Sequence, residues 1–222
     1  MARAWTARYL LQKAELSLRE VLDSGSGLGG RSLRDLGAAF LGALNAPLTM
    51  ELYMGGGAMA PTLGGAAAAA AAASGQPVYG APALDKLVVR QIKSPSASTV
   101  FAGDVIAFNS PLPAPGGKGS GVLVRRVAAT EGVDMVSDVE GDEGFALPAG
   151  TCWVLADNET LPLEEAPDSR AFGPLPLDAV LGRVVYYARS PSEHGLVQNS
   201  EAARWMDEPV LECEVDPEAL AG

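Results

Sequence analysis

Apolar residues recur at helical spacing chiefly near the start of the chain. Ala4, Ala7, Leu11, Ala14, Leu18 and Val21 fall at three- and four-residue steps. Arg8, Lys13, Glu15, Arg19 and Glu20 lie off that stripe, so the spacing predicts an amphipathic helix over 3–22. Glycine and serine break the pattern at 25–30. A second helix is expected over 32–44, with Ser32 as its N-cap and Leu33, Leu36, Phe40, Leu41 and Leu44 on its apolar side. These stripes could cover the domain's own core, dock on a partner or touch a membrane surface. Further along, the period shortens. Residues 52–54, 86–92, 104–108, 122–128, 135–136, 145–147, 152–155 and 180–187 alternate or run apolar over strand lengths, with Gly/Pro-rich turns between them. Many short strands with such turns predict a mainly β domain of the α+β class.

The segments between and beyond these strands are less informative. Residues 66–73 are eight alanines between two strand-like segments, most simply a surface loop insertion within 64–83. Residues 109–120 read as a Pro/Gly loop. After Tyr187 the pattern predicts a polar irregular stretch over 190–195, a helical turn or two over 201–206, and an added strand over 209–215. This gives three parts: a helical extension (1–48), a β domain (49–189) and an acidic tail (190–222).

Charge changes the picture of partners. Residues 1–127 carry a net charge of +5 and residues 128–222 carry −16, which gives the overall −11. An acidic half repels nucleic acid and suits a solvated surface or a docking face for a basic partner. The first residues, with Arg3, Arg8 and Lys13 and no acid before Glu15, fit a mitochondrial import signal as well as an ordinary helix. The least charged window before the first motif, 37–50, has 14 residues with Asn45 and Pro47 inside it. That is short of the roughly 20 apolar residues that span a bilayer.

Four short motifs carry the chemistry. They are Gly57-Ala58-Met59-Ala60-Pro61-Thr62-Leu63, Gly103-Asp104-Val105-Ile106-Ala107-Phe108, Val124-Arg125-Arg126-Val127, and the pair Ala156-Asp157-Asn158 and Asp168-Ser169-Arg170-Ala171-Phe172-Gly173-Pro174. In this order they resemble the signatures of type I signal peptidases and mitochondrial inner membrane peptidases, the S26 serine peptidases, over roughly residues 50–187. The resemblance implies a coiled antiparallel β domain and a serine–lysine dyad. The three places that would hold the nucleophile, the lysine base and the serine that orients it are occupied by Ala58, Arg125 and Ala166. Alanine has no nucleophilic atom, and a guanidinium stays protonated in proteins. Together with the tail, these changes resemble a plant-type branch of the family that lacks the dyad.

The remaining signature residues have structural readings. Met59, Pro61, Thr62, Gly103, Asp104, Arg126, Asp157, Asn158, Asp168, Ser169, Arg170 and Gly173 are expected to hold the scaffold, and the resemblance implies an Asp168–Arg170 ion pair. Gly103-Asp104 reads as a turn entering a strand. His194, the sole histidine, lies in a polar stretch outside the motifs and reads as a surface residue, although a Ser–His arrangement with Ser169 or Ser192 is possible on paper. Cys152 and Cys213 have no CxxC spacing and read as unreactive thiols. One histidine and two distant cysteines build no metal site, and no cofactor is implied. The resemblance implies a non-catalytic, membrane-peripheral subunit of a mitochondrial inner-membrane protein assembly, with other subunits as partners. The alternatives are an active or partner-dependent presequence peptidase, and a presequence-binding protein that does not cut.

Overall fold

The computed structural model describes residues 6–23, 33–64, 84–113, 120–136 and 144–220. Residues 25–30, the run at 66–73 and Ser32 lie outside these. Two helices, α1 (Ala7–Asp23) and α2 (Leu33–Asn45), precede ten strands: β1 (Thr49–Met54), β2 (Asp85–Gln91), β3 (Val105–Pro113), β4 (Ser120–Thr130), β5 (Asp134–Met135), β6 (Phe145–Ala146), β7 (Thr151–Leu155), β8 (Leu175–Pro176), β9 (Val180–Ser190) and β10 (Glu193–Leu196). A short helix α3 (Ser169–Phe172) lies between β7 and β8, and α4 (Glu201–Glu214) and α5 (Pro217–Leu220) close the chain. The main sheet is antiparallel in the order β1-β2-β9-β3-β4-β7-β8, with β10 on β9, and β5–β6 form a separate hairpin. The mainly β, α+β class expected from the pattern is the observed one.

Period-two alternation places a core on each face of the sheet. On one face Met59 and Leu63 from the first motif pack with Leu87, Val89, Val105, Ala107, Val124 and Val184. On the other, Val100, Ile106, Phe108, Val127, Val154 and Leu175 pack together with Leu123 and Phe172. Successive residues Leu123 and Val124 therefore face opposite layers. The centre of the sheet is tight. A Cβ on Gly182 would lie 2.2 Å from the Arg90 carbonyl oxygen, so only glycine fits where β9 passes β2.

Four expectations need correction. The 209–215 segment is not a strand. With 201–206 it forms the single helix α4, capped by Ser200 Oγ, which accepts from the Ala203 amide. Pro209 has no N–H for the carbonyl of Trp205 four residues back. Arg8 of α1 donates to that carbonyl instead (3.2 Å), which removes much of the usual cost of an interior proline. Residues 193–196 form β10 rather than an irregular stretch, pairing with β9. β3 also runs on to Pro113, into the expected 109–120 loop.

The buried face of α1 is not the Leu11/Leu18 stripe, since those side chains are 71 % and 52 % exposed. Tyr9, Lys13 and Ser17 face inward instead. The Tyr9 hydroxyl donates to Glu214 near the end of α4, and the Lys13 ammonium lies 5.3 Å from the Tyr9 ring centroid. Glu214 also accepts from the amides of Leu48 and Thr49 (both 2.9 Å), so one carboxylate joins α1, the start of β1 and α4. Among the described residues no helix is long and apolar enough to cross a membrane.

Candidate functional site

The segment leaving β1 turns sharply at residues 57–63. Met59 and Leu63 anchor it in the core, and the Leu63 amide donates to the Met59 carbonyl (2.8 Å). Asn158 fixes it from the far side. Its amide donates to the Ala58 carbonyl (3.0 Å), and its Nδ2 donates to the Gly57 carbonyl (2.9 Å). Thr62 Oγ1 accepts from Arg126 (3.1 Å). Pro61 follows a cis peptide bond. The first motif and Ala156-Asp157-Asn158, a hundred residues apart, are thus joined through side chains.

Arg126 is the centre of that join. It makes a two-toothed ion pair with Asp157, Nε to Oδ1 at 2.9 Å and Nη2 to Oδ2 at 2.7 Å. Its Nη1 donates to the carbonyls of Gly103 (2.8 Å) and Gln198 (3.1 Å). A guanidinium can hold all of these partners at once because its five donors form a rigid plane. Gly103 adopts φ +94°, which glycine alone takes without strain, and it directs its carbonyl to Arg126.

Arg125, the next residue along β4, is buried and takes different partners. Its Nε donates to the Pro167 carbonyl (2.9 Å), and its Nη1 donates to the Val124 carbonyl (2.6 Å). Burial pulls its pKa below the ordinary arginine value, while Asp168 nearby pushes it up. Ala166, beside Pro167, is fully buried and brings only a methyl group. The structure therefore sets Arg125 against the Ala166–Pro167 segment, and Asn158 holds Ala58 by its carbonyl. None of the three positions offers a nucleophile or a neutral base.

Asp168 organises the last motif. Its carboxylate caps α3 by accepting from the Arg170 amide (3.0 Å), accepts from the Ala156 amide (3.0 Å) and pairs with the Arg170 side chain (2.7 Å). Burial raises its pKa, but these hydrogen bonds outweigh burial and hold it below the usual carboxylate range. Ser169 Oγ accepts from the Val154 amide (2.9 Å), which engages that hydroxyl in fixing β7. Gly173 (φ +81°) ends α3 and donates to the Ser169 carbonyl (2.8 Å). His194 is half-buried and shares a hydrogen bond through Nδ1 with the Tyr186 hydroxyl. Cys152 is buried, and burial pushes its thiol up to about 12. Both cysteines are free thiols. Among the described residues no group of three His, Cys, Asp or Glu side chains comes together to hold a metal ion.

A buried charge network was not visible in the sequence. Asp104 accepts from Arg183 Nε (2.9 Å), the Phe101 amide (3.0 Å) and Ser200 Oγ (2.6 Å). Arg183 Nη1 donates to Asp207 of α4 (2.7 Å), whose other oxygen lies 3.9 Å from Arg90 Nε. Burial raises the Asp207 pKa, and Arg183 opposes that shift. The second motif is thereby fastened to α4. Asp207 had no distinguishing signal, since it sits among other acids in an acidic segment.

No family model matches the chain. It is 39 % identical over 135 residues to the mitochondrial ATP-independent inner membrane protease subunit 2 of Arabidopsis thaliana. The match covers 61 % of this chain and 63 % of that relative, so the chain spans less than two thirds of the relative's length. The four motifs in order and the antiparallel β domain they hold together agree with this similarity to a mitochondrial inner membrane protease subunit.

Proposed function

We propose that this chain is a signal-peptidase-like subunit that does not cleave, and that it acts as a structural or adaptor component of a mitochondrial inner-membrane protein assembly. The carrying observation is the state of the three catalytic places. Ala58 has no hydroxyl, both described bonds of Arg125 run to backbone carbonyls, and Ala166 is an occupied apolar position. Acyl transfer needs a nucleophile and a base that can take its proton. The residues around these places are tied to one another by Arg126, Asp157, Asn158 and Asp168, so the scaffold persists without those groups.

The relative is named as a subunit and as mitochondrial and inner-membrane, which supports an assembly at that membrane. Peripheral attachment is part of the proposal, and it is in keeping with the lack of a membrane-crossing helix among the described residues. Links to precursor import or processing follow from the same reading. Mild extraction from mitochondria, followed by size separation and mass spectrometry, is expected to find the chain in a complex with inner-membrane proteins. A lone monomer in a soluble fraction would overturn the assembly role.

A further inference from the structure

A cavity of about 590 Å³ lies between α1, the end of β2 with residues 92–99, and α4. Ala58, Arg125, Ala166 and Pro167 are not among the residues lining it. Its lining holds four cations, Arg19, Arg90, Lys93 and Arg183, against two carboxylates, Glu15 and Asp207. The local excess is positive, on a chain whose formal charge is −11. These charges are not equally engaged. Arg19 pairs with Glu15 (2.7 Å), and Arg183 is held by Asp104 (2.9 Å) and Asp207 (2.7 Å). Arg90 is only 7 % exposed, and its Nη1 donates to the Gln91 carbonyl. Its Nε has no hydrogen-bond partner among the described residues, since Asp207 stands 3.9 Å away. Burial pulls the Arg90 pKa below the ordinary arginine value, and Asp207 does not offset that pull. Gln12, in the same wall, has a second atom of this kind. Its Nε2 donates to the Met206 carbonyl (3.1 Å), while its buried Oε1 has no partner among the described residues. Buried polar atoms without partners are rare in folded proteins, so two beside one cavity point to a ligand.

The unmatched pair is a cationic donor and a neutral acceptor, next to apolar surface from Leu16, Ile92 and Met206. We propose that this cavity binds a small phosphate monoester with a short apolar body. The oxyanion accepts from Arg90 and meets the exposed Lys93 at the rim. Burial favours the singly charged ester, whose remaining P–OH donates to Gln12. Both unmatched atoms sit beneath the cavity surface, and rotation of the two side chains brings them to the ligand. A carboxylate has no hydrogen to give Gln12, and a bare phosphate ion leaves the apolar side of the cavity unfilled. This site stands whether or not the chain cleaves peptides.

The full chain is titrated with butyl phosphate, and separately with inorganic phosphate and with pentanoate. Amide chemical shifts report where each one sits. Saturable binding of butyl phosphate that shifts Leu16, Ile92 and Met206 is expected, tighter than either comparison. The exposed change Lys93→Gln should weaken it about tenfold, and Arg90→Met should abolish it. Where Arg90→Met fails to fold, Lys93→Gln still decides. Vesicles of phosphatidylcholine with and without phosphatidate separate the two sources of such an ester. Co-sedimentation that needs both phosphatidate and Lys93 assigns the phosphate to a lipid headgroup. No co-sedimentation, with butyl phosphate still bound, assigns it to a soluble ester. Undiminished affinity in Lys93→Gln, pentanoate binding as tightly, shifts confined to other parts of the chain, or no saturation at millimolar butyl phosphate overturns the proposal.

Discussion

Arg125 donates through Nε to the carbonyl of Pro167, the residue after Ala166, at 2.9 Å. The guanidinium thereby links two of the three positions that the proposed reading assigns to the missing catalytic groups. A lysine at 125 would present one small ammonium where the planar donor now bridges to two carbonyls, so the two side chains are not interchangeable there.

That relationship predicts the outcome of restoring the catalytic groups. Ala58→Ser alone should yield no hydrolysis of a presequence peptide, because the guanidinium at 125 stays protonated and cannot take the serine proton. The triple change Ala58→Ser, Arg125→Lys and Ala166→Ser should give cleavage above background, measured by mass spectrometry of the products. Equal cleavage by the single and triple variants would show that a base exists elsewhere.

Asp207 is the buried partner of Arg183, with Arg90 close by. Asp207→Ala leaves Arg183 with one carboxylate and removes from Arg90 its carboxylate at 3.9 Å, a change that typically costs about 3 to 5 kcal/mol. Denaturant unfolding is expected to show a loss of that order. Proteolysis should then cut first within α4, whose docking this pair secures.

Asp168 has a folded pKa below its unfolded value of about 3.9. For an acid depressed in this way, the stabilising contribution is complete above the unfolded pKa and is lost as pH falls through the folded one. Asp207, raised by burial, works in the opposite sense, contributing most at low pH and less as pH rises through its folded pKa. Comparing the parent with Asp168→Asn isolates the first effect. The stability difference between them should be largest near neutral pH and shrink once pH drops below about 4.

Cys152 has its thiol pushed up to about 12 by burial. Almost no thiolate is present at pH 8, and the thiolate is the reactive form. Iodoacetamide should leave Cys152 unmodified in the native protein and alkylate it fully in denaturant, as read by peptide mass mapping. Rapid native alkylation would mean that β7 opens readily.

The strands and the four motifs were legible because local pattern decides them. Alternation fixes which residues of β2, β3 and β9 face inward, and Gly103 marks its turn by conformation alone. The Asp168–Arg170 pair was legible through resemblance, being two residues apart on one short helix. What the sequence hid depends on distant partners. Tyr9, Lys13 and Ser17 turn inward because Glu214 waits some two hundred residues on, which outweighs the apolar stripe of Leu11 and Leu18. Pro209 suggested a break in any helix, and only Arg8 at the Trp205 carbonyl makes the continuous α4 reasonable. Arg183 and Asp207 are ordinary charged residues until the fold buries them together.

The central claim is tested most directly by incubating the purified full chain with mitochondrial presequence peptides and following the products by mass spectrometry. The account predicts intact peptides over long incubation at high enzyme concentration. Specific cleavage that persists through purification, and that a single Ser→Ala change in this chain abolishes, would contradict it.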